Sequence, residues 1–104
     1  MKISDARLKR LIEDTTVDAY TESEQRVGFL TMIEDNLARP FVTSVLGVEV
    51  SVERIDLTDA DEIVAICRRG RTRQAIPILE LPLPKPGPKG AEWIEAYRRW
   101  ARGT

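Results

Sequence analysis

The sequence predicts an α+β domain: two N-terminal helices, a small curled antiparallel sheet of three to five strands, and a C-terminal helix packed on that sheet. Three observations carry this reading. Apolar residues recur at helical spacing up to Leu37 and again from Trp93. From Phe41 the apolar period falls to two, as half-buried strands require. The strand-like runs are joined by short links, and these suit antiparallel neighbours because parallel strands need a long crossover. A chain of 104 residues has room for a single domain, residues 1–104, with one modest core.

The first helix is predicted over residues 5–15. Ser4 can cap it, and Leu8, Leu11 and Ile12 share one face. TTVDAYTESE is a polar connector. The second helix is predicted to begin after Thr21, because Thr21 and Glu24 have the spacing of a capping box. Val27, Leu30, Ile33 and Leu37 form its apolar stripe, weakened slightly by Gly28. Pro40 is expected to end this helix and to push Arg39 out of helical conformation.

Val48, Val50 and Val52 then alternate with Glu49, Ser51 and Glu53, which reads as a strand. Ile55 and Leu57 continue on odd numbers, and a β-bulge near Glu53–Arg54 explains the slip. EIVAIC is a second strand, RRGRTR a turn, and RQAIPILEL a third strand held to an edge or bulge by Pro77. Residues 41–46 can add a fourth. LPLPKPGPKG, with Pro82, Pro84, Pro86 and Pro88, is an extended connector. AEWIEAYRRWAR is the last helix, with Trp93, Ile94, Tyr97, Trp100 and Ala101 on one stripe. Glu95 is placed to pair with Arg98 or Arg99.

Composition narrows the chemistry. No apolar run approaches the ~20 residues that span a bilayer, and MKISDARLKR lacks the apolar stretch of a secretory signal. The cytoplasm is the expected location, with no membrane association. Cys67 is the one cysteine and sits in an apolar run, where a buried hydrophobe is expected. There is no histidine, which removes the commonest general base and most zinc sites. A metal here must be held by oxygen, and oxygen sites favour calcium or magnesium. The net charge of −1 is unevenly placed. Residues 1–62 hold 14 acidic and 7 basic side chains, net −7, whereas residues 63–104 hold 3 and 9, net +6. Cations suit the first part and polyanions the second.

Three acidic clusters stand out. DLTDADE carries Asp56, Asp59, Asp61 and Glu62. It is not an EF-hand: counted from Asp56, the positions that require Gly and the bidentate Glu hold Asp61 and Cys67. By itself it reads as a hairpin loop whose side chains satisfy local backbone groups. VDAYTESE carries Asp18, Glu22 and Glu24, with a capping role for Glu24. IEDN brings Glu34, Asp35 and Asn36 to the end of the second helix, where carboxylates oppose the helix dipole. A helix continuous from 22 to 36 holds its ends roughly 20 Å apart, so Asp18 and Asp35 cannot then share one ion. The basic turn, Arg68 to Arg73, could face phosphates. It lacks an adjacent aromatic platform, so a solvated hairpin is the simpler reading and nucleic acid is not the expected partner. A small non-catalytic module that binds RNA or an acidic protein through this turn is the alternative function.

VDAYTESEQ, GFLTMIEDNLARPF, VLGVEVSVERIDL, DEIVAIC, IPILELPLP and EWIEAY occur in order along most of the chain. In these segments the chain resembles the small bacterial CcbP-type calcium-binding proteins. The resemblance implies a compact non-EF-hand protein without catalysis, a calcium buffer or sensor that holds the calcium ion with acidic side chains. Asp35 is the first candidate ligand. Asp18, Glu22, Glu24 and Glu34 follow, then Asp56, Asp59, Asp61 and Glu62.

Overall fold

The computed structural model describes residues 3–103. The chain runs through helices α1 (Asp5–Thr16) and α2 (Glu22–Asn36). Strands β1 (Phe41–Val45), β2 (Val48–Leu57), β3 (Ile63–Arg69) and β4 (Thr72–Pro77) come next, and helix α3 (Ala91–Ala101) closes the order. The strands pair antiparallel in chain order, β1-β2-β3-β4. Four strands and three helices match the predicted α+β architecture.

Local rules account for most boundaries. The Ser4 hydroxyl accepts a hydrogen bond from the Arg7 N–H and starts α1. The Thr21 hydroxyl does the same for the Glu24 N–H at α2. The β2–β3 register shifts between Val52 and Arg54, so the predicted bulge falls at Glu53. It lets Val52, Ile55 and Leu57 share the inner face: Val52 pairs with Cys67, Ile55 with Ala65, and Leu57 with Ile63.

Two boundaries differ from expectation. Helix α2 stops at Asn36, before Pro40, with Leu37 extended at φ −78°, ψ 120°. The cause is tertiary. The Ala38 N–H donates to the Lys89 carbonyl at 2.8 Å, and Gly90 lies directly against the Asn36 and Leu37 backbone. Strand β4 ends at Pro77 and does not run on to Leu81. The chain turns instead, with the Glu80 N–H donating to the Pro77 carbonyl at 2.9 Å, and Ile78 and Leu81 drop into the core.

One core joins the layers. Phe29 and Ile33 of α2, Val52, Ile55, Ile63 and Ala65 of the sheet, and Ile94 and Tyr97 of α3 are all buried together. Helix α3 packs against α1 and α2, and α2 packs on β2. Phe29, Tyr97 and Trp100 form an aromatic triangle with centroids 5.2–5.8 Å apart, within the favourable range for ring pairs. Arg98, one of the two partners expected for Glu95, is largely buried. It pairs with Glu95 at 2.9 Å while its guanidinium donates to the Ile78 and Leu81 carbonyls, clamping the post-β4 turn to α3. Arg99 pairs with Asp5 at 2.6 Å and ties α3 to α1.

Candidate metal centre

The start of α2 and the β2–β3 loop face each other. The loop is held by its own groups. The Thr58 N–H donates to the Glu62 carbonyl at 2.9 Å, the Asp61 N–H to the Thr58 carbonyl at 2.9 Å, and the Glu62 N–H to the Thr58 hydroxyl at 3.2 Å. The Asp56 carboxylate accepts from the Leu57 N–H. In these respects DLTDADE is the polar turn its pattern suggests. Asp61 departs from that role. It sits in the left-handed region at φ 63°, which Asp tolerates better than most residues. Its carboxylate reaches α2, 2.6 Å from Arg26 Nη1 and 3.4 Å from the Ser23 hydroxyl.

Arg26 is the centre of this arrangement. Its other terminal nitrogen lies 3.0 Å from the Glu22 carboxylate, one helical turn away. The guanidinium also stands over the Trp100 ring, 5.2 Å from its centroid. Its side chain is only 16% exposed. Burial opposes the charge, but contacts with Tyr97, Glu22 and Asp61 outweigh it and hold the pKa above the ordinary arginine value. Two carboxylates from different elements thus converge on one built-in cation.

The remaining predicted residues are dispersed. Glu24 accepts from the Tyr20 N–H at 3.2 Å, so it holds the connector. Asp18, Asp59 and Glu62 are exposed on the α1–α2 and β2–β3 links. Glu34 and Asp35 are exposed at the far end of α2, and Arg39 donates to the Glu34 main-chain carbonyl. Helix α2 is continuous over 15 residues, which separates these ends by roughly 20 Å. Among the described residues, no three of the acidic or cysteine side chains are grouped so as to hold a metal ion. The sequence reading missed Arg26, although its i,i+4 spacing from Glu22 was visible.

The basic turn is partly committed. Glu53 lies 2.5 Å from Arg68 Nε and 3.3 Å from Arg73 Nε. The bond from Arg68, reinforced by Arg73, holds the Glu53 carboxyl below its usual range. Arg69 and Arg71 have no carboxylate partner among the described residues.

A family model described as calcium binding, of the CcbP type, matches residues 9–101. The chain belongs to this CcbP-type calcium-binding family. No curated protein and no solved structure matches it. The match to the CcbP-type family spans both acidic ends of α2, the β2–β3 loop and α3. Arg26 occupies the place where two carboxylates, those of Glu22 and Asp61, meet. None of the described helices is long and apolar enough to cross a membrane.

Proposed function

We propose that this protein binds calcium where α2 begins, using Glu22 and Asp61 as the first ligands and Arg26 as an internal competitor. The observation that carries this reading is the convergence of Glu22 and Asp61, from α2 and the β2–β3 loop, on one guanidinium. Family membership supports calcium as the ion. Calcium takes six to eight oxygens, so loop movement must bring in others. Asp18, Asp59 and Glu62 lie on flanking links, and the Thr21 and Ser23 hydroxyls are at the helix start. Glu34 and Asp35 form a separate, weaker location at the other end of the helix. The loop joins two strands rather than two helices, which supports a site unlike an EF-hand.

Arg26 also favours a sensor over a passive buffer. It links the carboxylates to Trp100 on α3, so an ion that takes the carboxylates changes what α3 feels. The test is calorimetry of chelator-treated protein with calcium, and with magnesium as control. Saturable calcium binding that weakens by about tenfold or more in Asp61→Asn supports the proposal. Flat heats with no calcium-dependent rise in thermal stability overturn it.

A further inference from the structure

The inner face of the sheet is covered by helices around Val52 and Ala65, but this cover runs out toward the two hairpin turns. There a groove of about 530 Å³ opens, within the size range of small-molecule sites. Its two walls differ. The β1–β2 hairpin contributes Val45, Leu46, Val48 and Val50, and the β3–β4 hairpin contributes Arg69, Thr72 and Gln74. The register explains this split: Arg69 pairs with Thr72, and Gln74 pairs with Cys67, which faces the same way as Val52. The result is an amphipathic slot, apolar along the β1–β2 hairpin and at Cys67 and Ile76, and polar and cationic at Arg69, Thr72 and Gln74.

Two observations say what suits it. The Arg69 guanidinium donates only to the Glu49 main-chain carbonyl, at 3.4 Å, and has no carboxylate partner among the described residues. An anion at this wall meets an uncompensated cation. Leu46 is the second. The Leu46–Gly47 turn has φ 50° and 77°, a type I′ pattern that favours Asn-Gly or Gly-Gly. A leucine there works against the left-handed backbone, yet it is 99% exposed and lines the groove mouth. Neither folding nor core packing calls for an apolar side chain at that position.

We infer that this groove binds a monomeric amphiphile with an aliphatic chain and an anionic head, the chain lying along Val45, Leu46 and Val48 and the head on Arg69. The inference is independent of the calcium reading, because no proposed calcium ligand lines the groove. The test uses decanoate and decanol, below micelle-forming concentration, titrated into the calcium-free full chain and followed by amide NMR. Decanoate should shift Val45, Val48, Val50 and Ile76 in a saturable way and bind about tenfold tighter than decanol, the preference expected of one charge-assisted contact. Arg69→Gln should reduce this preference below about twofold, while Val48→Asp, at an exposed position, should abolish binding with thermal stability retained. Equal binding of decanol overturns the anionic head. Scattered or absent shifts overturn the site. Concentration-dependent dimerisation through these residues, or binding to anionic phospholipid vesicles but not to free decanoate, overturns a monomeric ligand.

Discussion

Arg26 and Asp61 lie 35 positions apart in sequence and 2.6 Å apart in space. The chain places its own cation where carboxylates from a helix and a strand-joining loop meet. Calcium binding at that point, as proposed, would exchange one cation for another. Arg26→Gln should tighten calcium binding by about tenfold, since it removes a like charge at contact distance. The same change should lower folding stability by ~1–3 kcal/mol through loss of the Trp100 contact and two charge-assisted bonds. Calorimetry and urea unfolding of one variant report both effects, and they must move in opposite directions.

The two ends of α2 make separable claims. Asp61→Asn should weaken calcium binding by about tenfold or more, and calcium-induced change in tryptophan fluorescence should fall with it. Asp35→Ala should produce a smaller loss and leave the fluorescence change in place. The reverse order would move the principal site to the Glu34–Asp35 end.

Glu53 gives the basic hairpin a pH dependence. Its folded pKa is depressed below the reference of 4.5, chiefly by the Arg68 bond. The stabilisation is therefore present above that reference and is lost as pH falls through the lower folded value. Thermal unfolding of the native chain should lose more stability between about pH 6 and pH 3 than Glu53→Gln does. Parallel curves for the two proteins would mean that the Glu53 pairs contribute nothing to folding.

Gly90 and Gly47 separate crowding from backbone strain. Both have positive φ, 89° and 77°. A Cβ at Gly90 would stand 2.1 Å from the Asn36 carbonyl oxygen, whereas one at Gly47 meets nothing within 4 Å. Gly47→Ala should cost ~1–2 kcal/mol from backbone conformation alone. Gly90→Ala should cost more, ~3 kcal/mol or above, because the start of α3 must separate from the end of α2. Urea denaturation of the two variants measures the difference.

Local signals were legible where chemistry and neighbour spacing coincide. Ser4 and Thr21 mark their helices, and the phase slip after Val52 locates the bulge. The end of α2 near IEDN was legible, but not the contact that fixes it at Asn36 ahead of Pro40, because Lys89 and Gly90 come from more than fifty positions downstream. The acidic clusters could be read as carboxylates, but which of them meet is a tertiary fact. Arg26 looked like one more polar residue on a helix until the loop at Asp61 and the ring of Trp100 were placed beside it.

The pairing of Asp5 with Arg99 and the burial of Trp93, Ile94 and Tyr97 have a consequence for synthesis. A ribosome delivers α1, α2 and the whole sheet before it delivers α3. During that interval Phe29 has neither Tyr97 nor Trp100 against it, and the emerging intermediate exposes an apolar surface. Arrival of α3 covers it and joins regions separated by nearly the full chain. Such closure is entropically late, so the nascent protein keeps an exposed apolar surface until α3 is made.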